Sequence, residues 1–240
     1  MFGVIYDSLL ALAYPQACQI CESSVENLAD GVACQSCWSI TNVFSGAETL
    51  CAKCGAFLQS KSSIFQTFCH RCDEHFYDSA VAVGVYKHAL AASVIHLKRE
   101  PFVAKRLRQL FVERFRNSDF RDVTLIVPVP LSKKRFLERG FNQAVVLSKI
   151  LAKQFDIKFD EQSLIRKTHT PMHRAGMDGK ARALSVENAF AVKRPVFIEG
   201  EKVLLVDDVH TSGATVSNCA KVLKESGAGK VYVFTLARTL

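Results

Sequence analysis

Two sets of residues in this 240-residue chain are spaced for chemistry: thiols in pairs, and two adjacent carboxylates at the end of an apolar run. Eight of the nine cysteines form four C-x-x-C knuckles: Cys18/Cys21, Cys34/Cys37, Cys51/Cys54 and Cys69/Cys72. Gaps of 12, 13 and 14 residues separate them. A C-x-x-C turn presents two thiolates from one tight loop, and Zn2+ takes four ligands in a tetrahedron, so the eight suit two sites. A full thiolate set leaves no place for water, which makes such a site structural rather than catalytic. Sequential and interleaved pairings of the knuckles use the same residues, and both remain open. A redox motif accounts for one such pair but not for four in series. The ninth cysteine, Cys219, lies on an apolar helical face and reads as a small buried hydrophobe.

The carboxylates are Asp207 and Asp208, delivered by the apolar run Val203–Val206 and followed by His210, Thr211, Ser212, Gly213, Ala214 and Thr215. In parallel α/β sheets ligands bind at the carboxyl ends of strands. The amides and dipole at a helix start favour a phosphate, and Thr211, Ser212 and Thr215 add hydroxyls. Gly213 lets the backbone approach closely. The acids do not bind phosphate, but they accept from sugar hydroxyls or hold Mg2+. A second strand end, Val127–Pro130, leads into a basic loop carrying Lys133, Lys134, Arg135 and Arg139, with Gly140 turning into a helix.

The elements that must position these groups follow from periodicity. Ala80–Tyr86, Thr124–Pro130, Lys202–Val206 and Val231–Ala237 read as strands. Helices are expected over Ala89–Arg99, over Val103–Arg116, around Ala144–Phe155 and around Val216–Leu223. Strands that are apolar throughout and alternate with helices predict a parallel sheet covered on both faces. Arg166–Asn188 shows no period and reads as a long functional loop, a candidate lid with His169 and His173 as candidate acid-base groups.

Composition bounds the rest. Hydrophobic residues make up 49% and charged residues 22%, which excludes a disordered, collagen-like or coiled-coil chain. No run approaches a membrane span. Residues 2–14 are apolar but lack a basic leader and contain Asp7, so they read as a short packed helix or a frayed amphipathic start rather than a signal peptide. Knuckles of this kind belong to a reducing compartment, which predicts a cytoplasmic protein. The net charge of +8 is segregated: residues 1–78 carry −5 and the remainder +13. The basic part points either to an anionic partner such as phosphate or nucleic acid, with Arg106, Arg108, Arg116, Lys133, Lys134 and Arg135 as candidate backbone contacts, or to a plain solvated basic surface. Few aromatics for base stacking are evident beside them. The acidic knuckle region reads as a docking or stabilising unit.

The run Val203–Thr215 resembles the signature of type I phosphoribosyltransferases. That resemblance implies that Asp207 and Asp208 contact the ribose hydroxyls and Mg2+ of phosphoribosyl pyrophosphate, while Thr211–Thr215 cradle the 5′-phosphate. Together with Pro128-Val-Pro130, Arg139–Gln143 and His96-Leu-Lys-Arg99, the chain is similar over essentially its whole length to the ComF/ComFC competence family. The family implies a type I phosphoribosyltransferase-like parallel α/β fold over residues 77–240, behind a double zinc ribbon over residues 1–76. It also implies that Lys98, Arg139, Asn142 and Gln143 line the pyrophosphate side. The chain departs from the family at Thr170–His173 and Arg182–Ser185, where T-x-x-Q and R-x-x-N are usual, and acceptor contacts there are in question.

Three functions follow from this reading. One is a DNA-uptake protein that handles incoming single-stranded DNA in the cytoplasm and binds phosphoribosyl pyrophosphate or a related phosphosugar with Mg2+. The second is an active phosphoribosyltransferase of nucleotide metabolism or salvage. The third is a zinc-stabilised scaffold for a helicase-like or recombination-mediator protein.

Overall fold

Unbroken runs of apolar, β-branched residues need cover on both sides, and the fold supplies it. The computed structural model describes residues 15–58, 68–167 and 189–240. In chain order the elements are α1 (Gln35–Ser39), β1 (Ser79–Val85), α2 (His88–Leu97), α3 (Lys105–Arg116), β2 (Leu125–Pro128), α4 (Lys133–Arg139), α5 (Gln143–Phe155), β3 (Lys158–Phe159), β4 (Leu164–Arg166), β5 (Phe190–Val192), β6 (Lys202–His210), α6 (Ala214–Glu225) and β7 (Lys230–Arg238). Five strands form one parallel sheet in the order β1-β7-β6-β2-β3. β4 and β5 make a separate antiparallel pair. Among the described residues no helix is long and apolar enough to cross a membrane.

The parallel sheet separates two cores. Along β6, Leu204 and Val206 pack with Leu97 of α2, Phe111 of α3 and Leu151 of α5. Val203 and Leu205 pack on the opposite face with Val216, Cys219 and Leu223 of α6 and with Phe190 of β5. Each knuckle pair joins a different core. Cys18, Cys34, Cys37 and Trp38 lie in the first cluster, whereas Cys51, Cys54, Cys72 and Tyr77 lie in the second. The alternation of side chains along a strand therefore sends Asp207 and Asp208 toward opposite layers.

The strands and longer helices fall where periodicity places them, but two differences matter. The stretch 133–139 is not a loop. Ser132 accepts a hydrogen bond from the Arg135 amide, and Gly140, at φ 78°, ends the helix in the left-handed conformation. An N-cap serine, a run of good helix formers and a terminal glycine suffice to form a short helix that buries nothing. β6 also continues four residues beyond Val206. Asp207, Val209 and His210 stay paired with Thr235, Ala237 and Arg238 of β7, so the aspartates belong to the strand itself.

Candidate functional site

The knuckles pair sequentially. Cys18, Cys21, Cys34 and Cys37 form one cluster, and Cys51, Cys54, Cys69 and Cys72 the other, each with its four sulfurs within 4.8 Å of one another. Neighbouring sulfurs lie 3.5–3.7 Å apart in the first cluster and 3.4–3.6 Å in the second. A Zn–S bond of 2.3 Å gives a tetrahedron with edges of about 3.8 Å, so both sets fit Zn2+. Burial, and next the neighbouring sulfurs, hold the Cys37 and Cys72 thiols well above their ordinary value. A shared divalent cation is what lets four crowded thiols ionise together. In the second cluster the Cys69 amide also donates to Cys51 Sγ at 3.3 Å.

The chain turns one way from β2, to β3, and the other way from β6, through α6 to β7, so the carboxyl ends of β2 and β6 flank a switch point. Asp208 faces α2 and meets Lys98 Nζ at 3.1 Å. Asp207 faces α6 and accepts from the Asp208 amide at 2.8 Å. Burial, and then the adjacent Asp208 charge, push the Asp207 carboxyl up to about 7, while Lys98 and Arg166 pull it down. Beyond the aspartates, Thr211–Gly213 form the turn. Gly213, at φ 78°, caps α6, and Ala214 and Thr215 open its first turn. The loop amides thus sit at the positive end of a three-turn helix, next to two acids and a lysine.

The basic element contributes differently from residue to residue. Arg139 donates to Gln143 Oε1 at 2.9 Å, and Gln143 is buried. Asn142 is engaged at both ends of its amide: Oδ1 caps α5 at the Ala144 amide, and Nδ2 donates to the Val129 carbonyl, each at 3.0 Å. Its side chain therefore ties the end of β2 to the start of α5. Arg135 lies within electrostatic reach of Arg166, and Arg166 within reach of Asp207. The other side of α4 is open. Lys133 and Lys134 are exposed, and Lys133 lines a groove with Phe136 (50% exposed) and Leu137 (83% exposed) that runs to Phe141 and Lys149. These apolar side chains escaped the sequence reading because a loop assignment gives no faces to compare.

The three candidate arginines of α3, Arg106, Arg108 and Arg116, do not belong to this element. Arg106 pairs with Asp30 at 3.2 Å and covers the Trp38 ring at 4.8 Å, which fastens the first knuckle region to α3. Arg108 and Arg116 are exposed, the latter 5.8 Å from the Phe155 ring. Cys219 is fully buried, and burial raises its thiol well above the ordinary value.

The fold brings to the site three residues that had no assigned role there, and it corrects Arg166, read as the start of the aperiodic segment, to the end of a strand. Arg166 ends the short strand β4 and stacks on Phe190 at 5.2 Å. His75 and Tyr77 follow the last knuckle and reach Gly213 and His210 beyond the aspartates. Only the short apolar triplets that flank the aperiodic segment hinted at β4 and β5. The candidate acid-base groups His169 and His173, the two family departures and the apolar start 2–14 lie outside the described residues.

Comparisons with known proteins agree with this geometry. The double zinc ribbon domain family matches residues 9–73. The DNA utilization protein YhgH of Escherichia coli K12 is 31% identical over 215 residues, covering 85% of this chain and 92% of the relative. Competence protein F of Haemophilus influenzae is 31% identical over 198 residues, covering 78% and 84%. Among solved structures, the allosteric regulatory enzyme of purine biosynthesis is 18% identical with a TM-score of 0.37, covering 73% of this chain and 31% of its own. A likeness that low adds nothing to the fold, which rests on the strand order. Identity of this extent to nearly full-length relatives, joined to paired cysteine clusters ahead of a parallel α/β sheet, shows that the chain belongs to the ComF/ComFC competence family.

Proposed function

We propose that this protein handles incoming single-stranded DNA during DNA uptake, in the cytoplasm, and that it carries a phosphoribosyl pyrophosphate–Mg2+ site at the ends of β2 and β6. In this reading residues 1–76 are the ribbon unit and residues 77–240 the phosphosugar-binding unit. The observation that carries it is the meeting of Asp207, Asp208 and Lys98 with the amino end of α6 at one switch point. The loop Thr211–Thr215 takes the 5′-phosphate through backbone amides and hydroxyls. Asp207 and Asp208 accept from the ribose hydroxyls and hold Mg2+, which neutralises the pyrophosphate. Lys98, now paired with Asp208, supplies a cation on the pyrophosphate side, and Arg139 and Gln143 line it. Asn142 serves there by fixing the β2–α5 corner.

The reading for single strands is supported by the relatives being a DNA utilization protein and a competence protein, and by α4. Lys133, Lys134 and Arg135 are candidate backbone contacts, and the exposed Phe136 offers a face for base stacking. Arg108 and Arg116 are further candidate contacts on α3, apart from α4, while Arg106 already serves Asp30 and Trp38.

Titration calorimetry with phosphoribosyl pyrophosphate and Mg2+, with and without an oligonucleotide, tests the reading. Saturable heat that disappears in Asp207→Ala, with salt-sensitive strand binding that falls in a Lys134→Ala/Arg135→Ala variant, is the expected result. Absence of both rejects it. Release of pyrophosphate lost in Asp207→Ala would instead assign a phosphoribosyltransferase of nucleotide metabolism or salvage, a reading that the intact Asp207–Thr215 loop supports.

A further inference from the structure

The second cysteine cluster is built against the loop that the proposed function assigns to a phosphate. Three residues after Cys72, the His75 amide donates to the Cys72 carbonyl at 3.2 Å, so the knuckle turn sets where His75 lies. The imidazole then covers the loop. A Cβ placed on Gly213 would lie 3.0 Å from His75 Cε1 and Nε2. The next two residues grip the same region. The Phe76 amide donates to Ser217 Oγ, on the first turn of α6, at 3.1 Å. Tyr77, buried and stacked on His75 at 5.0 Å between centroids, shares a 3.2 Å hydrogen bond with His210 Nε2. His210 ends β6, and its Cε1 lies 3.1 Å from the same Cβ position. Two imidazoles thus crowd the Cβ side of Gly213, one brought by the ribbon and one by the sheet. From the far side, buried Arg238 donates to the Cys54 carbonyl.

Among the described residues the first cluster has no such link. It reaches the body through Arg106 with Asp30 and Trp38, through Thr41 with the Ala89 amide, and through backbone bonds from Asn42 and Phe44 to β1.

We infer that the second cysteine cluster, acting through His75 and Tyr77, positions the phosphate loop, so that phosphosugar binding depends on metal in that cluster and not on metal in the first. The inference rests on the reading above that Thr211–Thr215 takes a phosphate. Its physical basis is pre-organisation. Amides that grip an anion must be held to about 0.5 Å, and a glycine in the left-handed region has no Cβ to limit its own excursions. What packs on Gly213 therefore decides whether the amides are in place. A thiolate ribbon holds its turns only with metal, so its stiffness passes to His75.

The test uses the full-length, zinc-loaded protein, with amide hydrogen exchange over residues 209–217 measured without ligand, and calorimetry with phosphoribosyl pyrophosphate and Mg2+. His75→Ala is expected to keep both zinc equivalents, to speed loop exchange about tenfold and to weaken phosphosugar binding about tenfold. His75→Phe keeps a ring against Gly213 and is expected to restore both readouts. Arg106→Ala, at the first ribbon, is expected to change neither. Unchanged loop exchange in His75→Ala, or an equal effect of Arg106→Ala, overturns the inference while wild-type binding leaves the proposed function standing. Faster loop exchange in His75→Ala with no phosphosugar uptake by the wild type supports the positioning and overturns the proposed function.

Discussion

The two cysteine clusters have the same ligands, the same pairing and nearly the same sulfur spacing, yet they serve different parts of the molecule. The first sits in the layer of α2, α3 and α5, and its partners are helix surfaces and the edge of β1. The second sits in the layer of α6, and its partners are the start of β1, the ends of β6 and β7 and the loop that opens α6. Identical metal chemistry therefore does not imply identical consequence. What a structural metal stabilises is set by which side chains leave its turns and what those side chains touch.

The largest test of this contrast removes one ligand from each cluster. Cys72→Ser and Cys21→Ser should each release about one zinc equivalent, because an incomplete thiolate set binds poorly. Only Cys72→Ser should also abolish phosphosugar binding, read by zinc content beside calorimetry. Equal loss in both variants breaks the contrast.

The next test concerns the group between the two layers. Asp207 is raised from 3.8 to about 7, so its folded-state value lies above its unfolded one. Its contribution to stability is present below about pH 4 and is lost as pH rises through about 7. The proposed phosphosugar–Mg2+ binding, which would use the carboxylate, should strengthen over the same interval. Asp207→Asn should therefore bind no phosphosugar but melt roughly 2–6 °C higher than the wild type at pH 8, for a gain of about 1–2 kcal/mol. An unchanged or lower melting temperature would show that the carboxylate is not under strain.

A matched pair sharpens the comparison further. Thr41 Oγ1 donates to the Cys37 carbonyl at 2.7 Å and accepts from the Ala89 amide at 3.1 Å, joining the first ribbon to α2. The Tyr77 hydroxyl joins the second ribbon's connection to His210. Thr41→Val and Tyr77→Phe should each cost about 1–2 kcal/mol, seen as a lower denaturation midpoint. Only Tyr77→Phe should also weaken phosphosugar binding.

The smallest effect is expected at Arg106, whose ion pair with Asp30 and contact with Trp38 are part-exposed. Arg106→Ala should cost about 0.5–1 kcal/mol in thermal melting and leave phosphosugar binding unchanged.

Local order carried much of this protein. The four knuckles, the unbroken apolar strands and the run from Val203 to Thr215 were legible because each is written within one turn or one strand, where spacing dictates geometry. α4 was missed although Ser132 and Gly140 mark its ends, since seven residues that bury nothing leave no periodic stripe. Other features had no local signature. Sequential knuckle pairing, the placement of the ribbons on opposite faces, Arg166 beside Asp207, Arg106 spent on Trp38, and His75 against Gly213 join residues that are distant in the chain. Such contacts depend on which surfaces the strand order brings together. The sequence therefore determined which reactive groups this protein carries, and the tertiary structure decided which of them lie together, because burial and long-range packing have no period to read.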